Sequence, residues 1–285
     1  MLYLIGLGLN NEKDITVNGL EVVQRAERVY LEAYTAILMV GKDKLEAFYG
    51  RDVIIADREL VESSSGQILL DADTKDIAFL VVGDPLGATT HTDLLLRARN
   101  LSIPTRTIHN ASIMTAIAST GLQLYSFGQT LSMVFFTPEW RPSSWYDRLI
   151  ENAALGLHTL VLLDIKVKEM DLHALARRVG KYGKPRFMTV AECARQMIEI
   201  EEEREEGVCG PDTLVVGVAR LGTETQKIVS GTLAELAEVD MGEPLHSLVV
   251  VGKKCHELEK DYVREFAVSR ENWDRAWDNR GYGGL

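Results

Sequence analysis

Cysteine is scarce in this chain. Cys193, Cys209 and Cys255 are the three among 285 residues, and they form no C-x-x-C pair. This excludes a disulfide framework and a structural zinc site, and it suits a reducing, cytoplasmic setting with no metal. Positive charge is also in deficit, since 31 Lys and Arg face 42 Asp and Glu, a formal net charge of -11. Such a chain repels a phosphate backbone, which excludes general nucleic-acid binding. Long apolar runs are missing too: nothing approaches the ~18 uninterrupted apolar residues of a membrane span. The opening MLYLIGLGL has no basic residues ahead of its short apolar run and reads as a buried strand rather than a leader. What is present is the balance of an ordinary globular protein, 46% hydrophobic and 26% charged, at a length that suits two domains.

Several short runs are apolar at nearly every position: Leu2 to Ile5, Ile77 to Val82, Leu160 to Leu163, Leu214 to Val218 and Leu248 to Val251. Continuous apolarity marks strands buried on both faces, typically parallel or mixed, with helices covering each side. Helical spacing lies between them. Val17, Leu20, Val23 and Ala26 recur every third residue. Val190, Ala194, Met197 and Ile198 share a helix face, opened by Thr189 and Glu192 at capping-box spacing. The alternation predicts an α/β fold with two domains, 1–125 and 126–270, their boundary near Gly121 to Gly128. The polar, glycine-rich residues 271–285 read as a loosely held tail.

Three strand ends carry candidate chemistry. Gly6-Leu7-Gly8-Leu9 ends the first strand ahead of a helix expected near Asp14. A dinucleotide fingerprint would need a third glycine where Asn11 stands, so the turn does not support hydride transfer. In Val81-Val-Gly-Asp-Pro-Leu-Gly-Ala-Thr-Thr-His91, Gly83 and Gly87 free the backbone. Asp84 either closes a turn or faces a ligand, and Thr89 or Thr90 suits a helix cap. In Ile108-His-Asn-Ala-Ser-Ile113, Ser112 suits an N-cap beside exposed amides, and His109 is a polar group or a base. In the second half, Leu162 to Lys166, Ala219 to Gly222 and Glu243 to His246 each flank an apolar strand without a catalytic signature. His246 stays open among ligand, titrating and capping roles. Arg177 to Arg186 concentrates five positive charges. It is either a solvated loop or, through Arg178, Lys181 and Arg186, a grip on an acidic protein substrate.

Taken together these segments resemble the diphthine synthases, within the tetrapyrrole-methylase-like superfamily. The resemblance runs collinearly over about the first 255 residues: LYLIGLGL, DIT at 14–16, VYLEAYT at 29–35, ADRE at 56–59, VVGDPLGATTH at 81–91, IHNASI at 108–113, GLQLY at 121–125, LLDIKVKE at 162–169, VARLG at 218–222, QKI followed by SGTL, and GEPLHSLVV at 242–250. Where the wider superfamily has Gly-Pro-Gly, this chain has Gly8-Leu9-Asn10, which points away from a tetrapyrrole substrate. The resemblance implies a tetrapyrrole-methylase-like fold of two α/β domains with parallel and mixed sheets. It implies S-adenosylmethionine in the cleft between them, held by Leu9, Asp84, Gly87, Ser112, Ile113, Leu163, Leu221 and His246. It further implies a homodimer that methylates a modified histidine of translation elongation factor two. The Trp140 to Trp145 segment resembles the eukaryotic branch, whose product is the methyl ester. A tetrapyrrole or precorrin methyltransferase, trimethylation to diphthine alone, a nicotinamide oxidoreductase and a non-catalytic scaffold are the alternatives. No residue is assigned as catalytic; His109 and His246 are the candidates for a base.

Overall fold

The computed structural model describes residues 1–38, 40–87, 89–167 and 183–284. The chain divides into two compact units, the first built on Met1–Ala116 and the second on Ile117–Ile165 and Arg186–Leu285. The division therefore falls ahead of the Gly121 to Gly128 stretch expected from sequence, and both of those glycines lie in the second unit.

The first unit holds a sheet of five strands: β1 (Leu2–Gly6), β2 (Arg28–Glu32), β3 (Ile54–Ala56), β4 (Ile77–Val81) and β5 (Thr105–Ile108). Their order is β3-β2-β4-β1-β5, and every pair is parallel. The strands alternate between two cores. Tyr3 and Ile5 pack on one face with Val22, Val23, Leu45 and Tyr49, while Leu2 and Leu4 pack on the other with Ile68, Phe79, Leu94 and Ala98. Burial on both faces is why β1 and β4 read as unbroken apolar runs. Each such side chain contributes about 1.5–3 kcal/mol.

Helix α1 (Val17–Arg25) is capped by Thr16, whose hydroxyl accepts from the Gly19 amide, so it starts later than Asp14. Its buried face is Gly19, Val22 and Val23, while Val17 is 73% exposed. The every-third spacing placed Val17 on the wrong side because a three-residue step drifts around the helix by about 60° each time, which carries Val17 away from the face of Val23. Helix α2 (Thr92–Asn100) has His91 at its N-cap with no side-chain capping bond. Neither Thr89 nor Thr90 fills the expected cap, because His91 is the residue that precedes the first turn.

The second unit holds a mixed sheet of β6 (Leu131–Met133), β7 (Thr159–Leu163), β8 (Leu214–Ala219), β9 (Lys227–Thr232) and β10 (His246–Val250), in the order β9-β8-β10-β7-β6. β6 and β7 are parallel and the other pairs antiparallel. β9 is not evident from sequence: it is an edge strand whose first half is only half-buried, and it carries serine, glycine and threonine where an apolar run would stand. Helix α3 (Val190–Arg204) buries Val190, Cys193, Ala194, Met197 and Ile200, with Ile198 half-buried beside them. Thr189 accepts from the Glu192 amide, but the Glu192 carboxylate pairs with Arg186, so only half of the expected box forms.

The C-terminal residues correct the expectation of a loose tail. Helices α4 (Glu257–Arg264) and α5 (Arg270–Arg280) are followed by a left-handed stop at Gly281. Trp273, Ala276, Trp277 and Tyr282 are all buried. Trp277 stacks on both Trp273 and Tyr282, and the Tyr282 hydroxyl accepts from the Leu214 amide at 3.1 Å. Polar composition hid two tryptophans on one side of the helix and a tyrosine just past its end.

Candidate functional site

Parallel register aligns the carboxyl ends of β1, β4 and β5, with Gly6 opposite Val81 and Ile5 opposite Ile108. Ligands of open α/β sheets bind at this edge. Here the loops after β1 and β4 are joined by a reciprocal backbone pair. The Gly8 amide donates to the Gly83 carbonyl at 3.2 Å and the Gly83 amide to the Gly8 carbonyl at 2.7 Å. Both glycines have positive φ, 74° and 76°, which a side chain would oppose.

Asn110 ties in the third loop. Its amide nitrogen donates to the carbonyls of Gly6 and Asp14, both at 2.9 Å. Asp14 in turn accepts from the amides of Leu9 at 3.2 Å and Asn10 at 2.9 Å. Neither Asp14 nor Asn110 stood out as a site residue in the sequence. Each sits inside a segment carrying the resemblance, and that was the available signal.

Asp84 takes the turn-closing role, and both of its carboxylate oxygens are engaged within the protein. One carboxylate oxygen accepts from the Leu86 amide at 2.9 Å and closes the turn. The other accepts from the Asn110 amide at 3.1 Å and from His109 Nδ1 at 2.8 Å. Burial pushes this carboxyl up, but the two amides and His109 outweigh it and hold it below the usual carboxylate range. A Cβ added at Gly87 would lie 3.0 Å from Ser112 Oγ, so these two positions are in close approach. Ser112 Oγ accepts from the Met114 amide at 3.3 Å, at the start of the short Ile113–Ala116 turn. Leu9, Asp84, Gly87, Ser112 and Ile113 are thus gathered at one sheet edge.

The second unit gathers the remaining three expected residues. Leu163 ends β7, Leu221 lies just past β8 and His246 opens β10. The antiparallel register sets Ala219 opposite His246 and Leu162 opposite Ser247, which places all three at the same end of that sheet. His246 is buried, and both of its ring nitrogens are engaged. Nδ1 accepts from the Val190 amide at 3.4 Å, and Nε2 donates to the carbonyls of Gly242 and Glu243 at 3.1 and 3.0 Å. Burial lowers its affinity for a proton. His246 is therefore a neutral tie between α3 and the Gly242 turn, and the geometry speaks against its use as a base.

Arg178 and Lys181 of the basic stretch lie outside the described residues. Arg186 pairs with Glu192 and stacks 3.8 Å above the Phe135 ring, so its charge is already matched. Among the described residues, His158, Cys255 and Glu259 bring three potential ligand atoms together. There His158 Nδ1 already accepts from the Gly252 amide, and both Glu259 oxygens accept backbone amides. The cluster reads as a buried hydrogen-bond network.

The model of the tetrapyrrole (corrin/porphyrin) methylases matches residues 1–237. A diphthine methyl ester synthase of Emericella nidulans is 68% identical over 283 residues, covering 99% of each chain. That of Saccharomyces cerevisiae is 58% identical over 276 residues, covering 96% of this chain and 92% of its own. The chain belongs to the diphthine methyl ester synthase family. A solved diphthine synthase superposes with a TM-score of 0.81 at 33% identity, covering 96% of this chain and 99% of its own. Membership in this family of methylases makes the chain a methyltransferase with the tetrapyrrole-methylase fold, and sets aside the oxidoreductase and scaffold readings. No helix among the described residues is long and apolar enough to cross a membrane.

Proposed function

We propose that this chain transfers methyl groups from S-adenosylmethionine to the modified histidine of translation elongation factor two, the diphthamide precursor, and that its product is diphthine methyl ester. The observation that carries the reading is the gathering of Asp84, Gly87 and Ser112 at the edge of a parallel sheet, in a chain so similar to diphthine methyl ester synthases. We place it in the cytoplasm, as a homodimer.

The residues present fit the donor. Asp84 offers an ionised, largely buried carboxylate to a cationic or hydroxyl-bearing ligand. Gly87, which lacks a Cβ beside Ser112, lets a ligand approach the backbone. Leu9, Asp84, Gly87, Ser112 and Ile113, at the sheet edge of the first unit, would hold S-adenosylmethionine. Bound there, it supplies an activated sulfonium methyl. The chain's own task is to align the substrate nucleophile with that methyl and exclude water. Asn110 and Asp14 keep the three strand-end loops in one arrangement, which is the preorganisation such alignment requires.

The test is mass spectrometry of elongation factor two carrying the aminocarboxypropyl histidine, after incubation with the protein and S-adenosylmethionine. Three methyls on nitrogen and one on the carboxylate are expected. A gain that stops at three shows the diphthine product instead, and no gain overturns the reading.

A further inference from the structure

His109 extends from the end of β5, 67% exposed, with Nδ1 2.8 Å from Asp84 Oδ2. The Asp84 carboxylate is held ionised by the Leu86 and Asn110 amides, so it can only accept. The proton of the neutral imidazole therefore sits on Nδ1, and the lone pair sits on Nε2. None of the hydrogen bonds made by the described residues uses Nε2. A carboxylate that fixes the tautomer and aims the free nitrogen outward is the general arrangement of an oriented base. His246, with both nitrogens committed to backbone, is the opposite case.

We propose that His109 is the general base for methylation of nitrogen, with Asp84 orienting it. This rests on the proposed function and extends it to a named residue. The substrate amine is protonated at neutral pH and has no lone pair for attack. His109 Nε2 takes the proton as the N–H bond breaks, and the electron pair stays on the amine nitrogen. That pair forms the new N–C bond while the C–S bond breaks with its electrons passing to sulfur. Solvent removes the proton from the exposed ring before the next transfer. The methyl ester step differs, because a carboxylate is already a nucleophile and needs no base.

The two chemistries give a test within one protein. His109→Ala and His109→Gln are assayed on two substrates: elongation factor two bearing the unmethylated arm, and the same protein already trimethylated on nitrogen. Both variants should lose about 100-fold in the rate of nitrogen methylation at neutral pH, and the deficit should shrink as pH rises and the amine deprotonates unaided. Esterification of the trimethylated substrate should stay within about twofold in His109→Gln, and calorimetry should find the S-adenosylmethionine affinity of that variant unchanged, because glutamine keeps the donor toward Asp84. Glutamine keeps a donor toward Asp84 but offers no basic nitrogen, so rescue by glutamine would overturn the assignment. Equal loss of both reactions, or no loss of nitrogen methylation, would also overturn it. If the wild-type protein methylates neither substrate, it is the proposed function that fails.

Discussion

His158 Nε2 donates to Glu259 Oε1 at 3.3 Å, with the two side chains 1% and 2% exposed. The direction follows from the other ring nitrogen, which accepts the Gly252 amide at 2.9 Å. Glu259 also accepts from the amides of Gln123 and His256, both at 2.7 Å, and so joins the start of α4 to the segment after Gly121.

Burial pushes the Glu259 carboxyl up, but His158 and the two amides outweigh it and hold it at about 2. A carboxyl depressed on folding adds stability above its unfolded value, ~4.3, and loses it as pH falls toward the folded one. Urea midpoints should therefore drop between about pH 4.5 and pH 2. Glu259→Gln should flatten that part of the profile and cost on the order of 3 kcal/mol at neutral pH. An unchanged acid limb in the variant would show that other carboxylates set it.

The C-terminal helix makes a second prediction. Trp273 is fully buried and Trp277 nearly so. Trp273→Ala should destabilise the protein by about 3–5 kcal/mol in denaturant unfolding. Deleting the chain from Ser269 onward should expose the surface these rings cover and leave a poorly soluble product, read as loss of the monodisperse peak in size-exclusion chromatography. A soluble, cooperatively folding truncation would return residues 271–285 to the status of a dispensable tail.

What could be read from sequence followed physical lines. Strands sealed on both faces, such as Leu2–Gly6 and Ile77–Val81, announce themselves because every position must be apolar. The edge strand Lys227–Thr232 does not, because its first three positions are only half-buried and its buried ones are serine, glycine and threonine. Glycines at strand ends marked the site loops, yet the residues that lock those loops carry no such mark: Asp14 bonds the amides of Leu9 and Asn10 within its own loop, and Asn110 reaches back to Gly6 and Asp14. A polar residue that bonds a backbone 104 positions away has no local pattern. The difference between His109 and His246 was likewise invisible, since it depends on whether carbonyls or a carboxylate meet the ring.

Gly6 tests the compactness of the proposed cofactor edge. A Cβ there would fall 2.6 Å from the Gly83 carbonyl and 2.7 Å from Asn110 Cβ, and the first of these is backbone that cannot rotate away. Gly6→Ala should force β1 and the Gly83 loop apart, costing about 1–3 kcal/mol, and should weaken S-adenosylmethionine binding in calorimetry. Wild-type affinity in a folded Gly6→Ala protein would show that the donor does not depend on this junction.

His91 is the anchor of the loop that carries Asp84 and Gly87. The ring is 1% exposed and lies edge-on to Phe79 of β4, their centroids 5.3 Å apart. Its Nδ1 lies 3.1 Å from the Pro85 carbonyl, which can only accept, so that nitrogen bears the proton. Burial lowers its tendency to charge, and a neutral ring therefore pins the loop back onto the sheet. His91→Phe keeps the packing and removes the donor, whereas His91→Asn keeps a donor of similar reach and removes part of the packing. If the hydrogen bond sets the loop, phenylalanine should weaken S-adenosylmethionine binding by about tenfold, the worth of one such bond, with the unfolding midpoint little changed. Asparagine should show the reverse, a lower midpoint with affinity retained. Parallel loss of affinity and midpoint in both variants would mean that His91 serves the core of the first unit and does not position the loop separately.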